Sequence, residues 1–400
     1  MRPEAKPAPA GCLMIYTVEN NMTKQRILHF IESEGVYGAE RVILNLSQQL
    51  QSDSHYVSVI GCIVNNPASQ SDLYDAAQTA GIEAIKIPIS NKYVFFHLPK
   101  AARQFQKLNI NLIHSHGYKP AVYSFIIRLL TGIPILSTCH LWFEPANASL
   151  KTRIMIWLEQ FFYQWYPKIV GVSEPILDVL RKRKLPDKKL ALIRNGVDIP
   201  STPAENTLQN LRAELKLAPN DYCVINCARL TRQKDQASLV EAGRILKEQS
   251  LPIKILILGQ GPLEAELKQQ IQNSGMEQHV RLLGFREDIS ALLALADVFA
   301  LPSLDEGMPM SLLEAAASSK PIITTLVGDI GKLIQHNKTG LTIPVSDPAS
   351  LASAIIQLRN NPALAKALAD NAHAVMVENY SSHAMCQQYI LIYRELLANQ

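Results

Sequence analysis

Two glutamates and two bases, each set just after an apolar run, offer the clearest chemistry in this chain. The stretch from Leu301 to Glu314 reads LPSLDEGMPMSLLE and joins a predicted strand to a predicted helix. Gly307 permits a tight turn, and Pro309 suits the first helical turn, where its missing N–H costs nothing. The backbone amides from Met308 through Met310 to Ser311 are then helix-start donors, which is an anion site. Glu306 in the loop and Glu314 inside the helix bracket that site. Carboxylates accept hydrogen bonds from hydroxyls, so the arrangement suits a polyhydroxylated ligand that carries phosphate. The plainer alternative is a helix-start acid placed for the dipole beside an ordinary surface glutamate. A second loop, Cys227 to Asp235, reads CARLTRQKD and also precedes a helix. Arg229 and Lys234 there can neutralise a diphosphate, Arg as a planar fork and Lys as a point charge; Arg232 faces solvent in this reading. The chain has no Asp-x-Asp triplet, so a leaving diphosphate falls to Arg229, Lys234 and helix amides, with no metal ligands assigned.

Weaker features lie in the first half. Glu34 to Arg41 reads EGVYGAER between a strand and a helix, and a glycine such as Gly38 lets backbone approach a ligand closely. His114 and His116 end another strand on the same side, with His116 nearer the strand end, and His140 ends a third. A metal reading of these three lacks a carboxylate or cysteine partner. Trp157, Phe161, Phe162, Trp165 and Tyr166 crowd one helical stretch, followed by Arg181-Lys182-Arg183-Lys184 and Lys188-Lys189. This is either a buried core helix with a solvated charge run, or an interfacial patch for anionic lipid.

The elements that must hold these residues follow from length and pattern. At 400 residues the chain exceeds one ordinary core, and two domains are expected. Apolar residues are 48% and charged ones 18%, which supports folded cores and excludes global disorder. A net charge of +4 is too small for a nucleic-acid binder, so any anion site must be local. Six scattered cysteines without a CxxC pair fit a reducing compartment; Cys223 and Cys227 read as buried small hydrophobes. No window is long and apolar enough to span a bilayer. Short β-rich runs alternate with amphipathic stretches, the α/β pattern of two doubly wound parallel sheets with a cleft at their strand ends. The expected division is a disordered or misassigned extension at 1–24, an N-terminal domain at 25–195, a linker at 196–207, a C-terminal domain at 208–382 and a final segment at 383–400.

Together, Glu306 and Glu314 separated by seven residues, with Arg229 and Lys234 upstream, resemble the Glu-x7-Glu retaining glycosyltransferases of the GT-B fold. More narrowly the chain resembles the group 1 (family 4) glycosyltransferases of bacterial polysaccharide and lipopolysaccharide synthesis. Further matching pieces are Tyr37-Gly38-Ala39-Glu40-Arg41, Asn195-Gly196-Val197-Asp198, Gly259-Gln260-Gly261-Pro262, Gly284-Phe285 and Asn337-Lys338-Thr339-Gly340-Leu341.

The resemblance implies two Rossmann-like domains facing a cleft, and a final helix that crosses back to the first. It implies that Arg229 and Lys234 hold a nucleoside diphosphate, Glu314 the ribose and Glu306 the donor-sugar hydroxyls, with Gly307, Met308, Pro309 and Met310 lining the same region. Leu283, Gly284 and Phe285 would border the base, Gly38 would approach the diphosphate, and His116 would sit near the sugar's primary hydroxyl. No cofactor is implied beyond the nucleotide sugar as co-substrate. The partners implied are a nucleotide-sugar donor and a glycan or lipid-linked acceptor, in the cytoplasm or on the anionic inner membrane's cytoplasmic face. The chain departs from the family pattern at Tyr37-Gly38, at Ala228 before Arg229, and at Gly328-Asp329-Ile330-Gly331-Lys332. Other readings are a GT-B epimerase or phosphorylase, or a non-catalytic sugar-nucleotide-binding protein.

Overall fold

Period-two apolar runs alternate with stretches of helical period, and the chain folds accordingly. A computed structural model describes residues 24–33, 35–36, 38–90, 92–140 and 150–398. Apart from Lys24, the N-terminal extension lies outside the described residues, as do Glu34 and Tyr37. The first half runs β1 Gln25–Glu32, α1 Gly38–Gln51, β2 Tyr56–Val64, α2 Asp72–Thr79, β3 Glu83–Pro88, α3 Val94–Lys107, β4 Ile110–His116, α4 Tyr118–Thr131, β5 Ile135–Cys139, α5 Leu150–Tyr163, β6 Lys168–Gly171, α6 Glu174–Lys182 and β7 Leu190–Leu192. The second half runs α7 Glu205–Glu214, β8 Tyr222–Cys227, α8 Gln236–Glu248, β9 Ile253–Leu258, α9 Glu264–Asn273, β10 Val280–Gly284, α10 Ile289–Leu295, β11 Val298–Leu301, α11 Met310–Ala317, β12 Ile322–Thr325, β13 Leu341–Ile343, α12 Pro348–Asn360, α13 Pro362–Tyr380 and α14 Ser382–Ala398.

Each half forms one parallel sheet, in the order β3-β2-β1-β4-β5-β6-β7 and β10-β9-β8-β11-β12-β13. Both sheets reverse direction of winding beside their first strand, so crevices open between β1 and β4 and between β8 and β11. Strand parity sorts the cores. Cys223, Ile225 and Cys227 face the layer built by α7, α10, α11 and α13, whereas Val224 faces that of α8, α9 and α12. Both cysteines are therefore packing residues.

Two differences from the sequence reading have physical causes. The linker expected at 196–207 ends early, because α7 begins at Glu205. Leu211 and Leu215 are buried in the second core and Leu208 packs beside them, although Ala204 offers no side-chain cap to announce the helix. The segments that pass between domains also pair with each other. Val197 N–H donates to Tyr380 O at 2.9 Å, and Ser382 N–H donates to Val197 O at 2.9 Å. Beyond that crossing α14 buries Met385, Tyr389, Tyr393 and Leu396 against Ile27, Leu46, Leu112 and Leu136 of the first domain.

Candidate active site

The loops after β8 and β11 flank the switch point of the second sheet, and hydrogen bonds tie them together. Leu304 N–H donates to Gln233 O at 2.8 Å, and Gln233 Nε2 donates to Asp305 O at 2.7 Å. This clamp brings Lys234 to Glu306, 2.5 Å from Nζ to Oε1. Glu306 is buried, and the same oxygen accepts from Ser303 Oγ at 2.7 Å. The Glu306 loop is supported from β12, where Thr325 Oγ1 donates to Ser303 O at 2.5 Å. Gly328 lies beneath it with φ +56°, and a Cβ there would stand 1.7 Å from the Glu306 carbonyl oxygen. On the other side, Gly259 has φ +126° and approaches the Ala228 carbonyl so closely that a Cβ would lie 2.0 Å from it. Glycine is the one residue type both positions accept.

A cavity of about 680 Å³ opens in front of these loops and is walled by both domains. Gly38 and Arg41 of α1 form one side; Arg229, Lys234, Phe285 and Glu314 form the other. Arg229 is exposed, and among the described residues no side chain pairs with its guanidinium. Phe285 is 62% exposed, an open ring at the cavity edge. Arg286 beside it is anchored to Asp288 and Glu214, each at 2.6 Å. Pro309 and Met310 also line the cavity. Pro309 is the N-cap of α11, one step outside the helical turn expected for it, because its φ of −67° is paired with an extended ψ of 131°; having no side-chain acceptor, it leaves the helix start uncapped. Gly284 and Met308 sit next in sequence to lining residues without being cavity walls themselves, and Glu306 and Gly307 stand behind the wall, Glu306 through its contact with the lining residue Lys234.

Glu314 reaches across the cleft to Arg41, with Nη1 3.1 Å from Oε1. Burial pushes the Glu314 carboxyl above its ordinary range, and the charge and hydrogen bond of Arg41 pull against that. Arg41 and Gln233 are the site residues that sequence reading passed over. Arg41 stood within the quoted loop motif, but nothing in the sequence pairs it with a residue 273 positions later.

His116 occupies different surroundings from the other site residues. It is buried on the side of the first sheet covered by α14, and both its nitrogens are engaged: Nε2 with His29 Nδ1 at 3.1 Å, Nδ1 with His140 Nε2 at 2.9 Å. His114 bonds Tyr393 Oη at 2.8 Å and Thr138 Oγ1 at 2.7 Å. Burial lowers the proton affinity of all four rings. The nitrogens of His29, His114 and His116 lie within 4.8 Å of one another, and among the described residues no carboxylate or thiolate joins them. With His114 bound to two hydroxyls, the chemistry is that of a neutral hydrogen-bonded network.

The aromatic stretch divides by face. Tyr163 and Tyr166 are buried, while Trp157, Phe161 and Trp165, four residues apart, are 44% to 59% exposed. Of the basic run, Arg181 is spent on Asp178 at 2.9 Å and Asp187 at 3.0 Å. Lys189 bonds the Gln164 carbonyl beside Trp165. No helix among the described residues is long and apolar enough to cross a membrane.

Two parallel doubly wound domains joined at a paired crossing, with basic and acidic loops facing one cleft, define a GT-B glycosyltransferase. Sequence profiles agree: the one described as glycosyl transferases group 1 matches residues 208–375, and glycosyltransferase family 4 matches residues 36–200. Together they span more than half of the chain, which belongs to the group 1, family 4 glycosyltransferases. The chain is 26% identical over 354 residues to the UDP-Gal:alpha-D-GlcNAc-diphosphoundecaprenol alpha-1,3-galactosyltransferase of Escherichia coli, covering 87% of this chain and 91% of that one. It is 32% identical over 246 residues to the amylovoran biosynthesis glycosyltransferase AmsK of Erwinia amylovora, covering 58% of each. The crystal structure of Anabaena Alr3699/HepE in complex with UDP superposes with TM-score 0.78 at 20% identity, over 93% of this chain and 100% of that one, a likeness of fold.

Proposed function

We propose that this glycosyltransferase moves a sugar from a nucleoside-diphosphate sugar to a glycan or lipid-linked acceptor in polysaccharide assembly, retaining the anomeric configuration and using no metal ion. The observation that carries the reading is the Lys234–Glu306 pair beside the unpaired Arg229, with Glu314 lining the same cavity. In the free site each acid is neutralised by a base, Glu306 by Lys234 and Glu314 by Arg41. A diphosphate draws Lys234 to itself and meets Arg229, while Glu306 and Glu314 accept from donor-sugar and ribose hydroxyls. The uncapped start of α11 and the start of α1 at Gly38 add amide donors, and Phe285 offers a face for the base.

As the bond from the anomeric carbon to the phosphate oxygen breaks, positive charge grows on the sugar and negative charge on the diphosphate. Arg229, Lys234 and the helix start stabilise the latter. The acceptor hydroxyl bonds the anomeric carbon on the same face, and its proton passes to the departing phosphate oxygen. Metal independence is supported by a site whose counter-charges are basic side chains and by the lack of an Asp-x-Asp triplet. The named activities of the Escherichia coli and Erwinia relatives, and the UDP-glucose complex of HepE, support the donor and acceptor classes. Lys234→Ala is expected to lower turnover at least about 100-fold and to weaken nucleoside-diphosphate binding while the protein stays folded. Turnover is assayed in chelator with a panel of UDP-, GDP- and ADP-sugars. Ordinary turnover in the variant, or epimerised donor without acceptor-dependent release of nucleoside diphosphate, would overturn the reading.

The acceptor reading extends to the surface. Trp157 and Phe161 on α5 and Trp165 in the turn just after it, with Leu129 and Leu130 on the neighbouring α4, are exposed apolar residues. The rings of Phe161 and Trp165 meet edge to face with centroids 4.8 Å apart, and Arg128 and Lys189, near enough to each other to interact, supply positive charge. Such residues suit the headgroup region of an anionic bilayer on the cytoplasmic side, where a lipid-linked acceptor is presented.

A further inference from the structure

One face of α1 grips the opposite side of the cleft at intervals of one turn. Arg41, Asn45 and Gln49 lie four residues apart and so project in line. Arg41 bonds Glu314 of α11; Asn45 Nδ2 donates to Gly196 O at 3.3 Å; Gln49 Nε2 donates to Asp198 Oδ1 at 3.4 Å. The latter two partners sit in the crossing segment between domains. Arg41, with Ile289, Met310 and Glu314, lines two cavities, the donor cavity and a smaller one of about 350 Å³ also lined by Asn45, Asp198, Glu287 and Ser290. Around Glu314 stand Arg41 from α1, Cys227 at the end of β8, Arg229 and Lys234 across the donor cavity, and Asp198 and Glu287 across the smaller one. Among the described residues, Arg41 is the one of these in ion-pair contact with Glu314.

We propose that Arg41 is a positioning residue lent by the N-terminal domain to the ribose subsite, where it fixes the Glu314 carboxylate to receive the ribose hydroxyls. The inference rests on the reading of Glu314 as the ribose carboxylate. A single Nη1–Oε1 contact occupies one of roughly four lone-pair directions on the carboxylate, so room remains for two hydroxyls. Burial favours the protonated carboxyl, a poorer acceptor, and the adjacent guanidinium opposes this. Because α1 and α11 belong to different domains, ribose recognition depends on the domains standing together.

The test is a ratio of affinities. UDP, GDP and ADP, each beside its 2′-deoxy counterpart, are titrated calorimetrically into the full chain and into Arg41→Met, Arg41→Gln and Glu314→Gln. The unsubstituted protein should prefer its ribonucleotide by about tenfold, the worth of a hydrogen bond to a charged group. Arg41→Met should shrink that preference to about twofold, and Arg41→Gln, which keeps a donor, serves if the methionine variant does not fold. An undiminished ratio in the folded variants, with both nucleotides weakened alike or not at all, overturns the role of Arg41. An undiminished ratio in Glu314→Gln overturns the ribose reading itself. A ratio lost in Glu314→Gln but kept in the Arg41 variants removes Arg41 alone.

Discussion

Gly328 carries no reacting atom, yet the place of Glu306 depends on it. Its φ of +56° and the 1.7 Å clash that a Cβ would make with the Glu306 carbonyl leave a side chain no room without moving the acid loop. The left-handed conformation alone costs a non-glycine residue about 1 kcal/mol, and the clash adds to that. Gly328→Ala should therefore lower turnover at least about tenfold while donor consumption without acceptor stays low. Steady-state kinetics beside a thermal melt check this, and a variant with normal turnover would show the loop to be free of Glu306. At this scale the sequence was informative where side-chain chemistry is strong. Arg229 and Lys234 were legible as charged residues in a loop just after a strand, and Glu314 as an acid near the start of the helix that follows the next such loop. Gln233 and Arg41 were not, because their partners are set by which loops and domains come together.

The strands that end at the cleft carry a second consequence, seen where β1, β4 and β5 pass under α14. His29, His114, His116 and His140 are held neutral there, with burial lowering His29 from 6.5 to about 3. A histidine whose folded pKa is depressed contributes stability that is present above its unfolded value, near pH 6.5, and is lost as the pH falls towards the folded value. The first domain should thus weaken steeply between about pH 6 and pH 4, by about 1.4 kcal/mol per pH unit for each imidazole that must take up a proton on unfolding. Urea denaturation across that range checks the slope, and His29→Leu should flatten it by about one such increment. The elements themselves were largely readable: the thirteen strands among the described residues and most of the helices there follow from periodicity. Helix α7 was obscured by an uncapped start among prolines, α10 by its brevity, and α13 by alanine-rich turns whose apolar contrast is low.

Across the whole molecule, the crossing at Val197 and Ser381 pins both interdomain segments side by side, so the domains meet at one hinge with the cavity in front of it. The exposed apolar residues of α4, α5 and the turn after α5 belong to the first domain. Wild-type protein should co-sediment with phosphatidylglycerol vesicles, and Trp157→Ser with Phe161→Ser should weaken this at least about tenfold. Each buried aromatic ring contributes roughly 1.5–3 kcal/mol. Equal sedimentation of variant and parent would remove the membrane reading without touching the transfer chemistry. The partners of Arg181 make that residue a poor choice for the same test, since replacing it breaks ion pairs within the protein.

The sequence by itself determined the α/β class, the two-domain plan, the strands, the loops that hold Arg229, Lys234 and Glu306, and the helix that holds Glu314. Each of these depends on local period or on side-chain charge, which adjacent residues carry. Only the tertiary structure decided that Lys234 rests on Glu306, that Arg41 spans the cleft to Glu314, that His116 is enclosed among three other histidines, and which first-domain residues the returning α14 packs against. Those are contacts between residues dozens to hundreds of positions apart, fixed by strand order and by how the domains meet, and no local pattern encodes them.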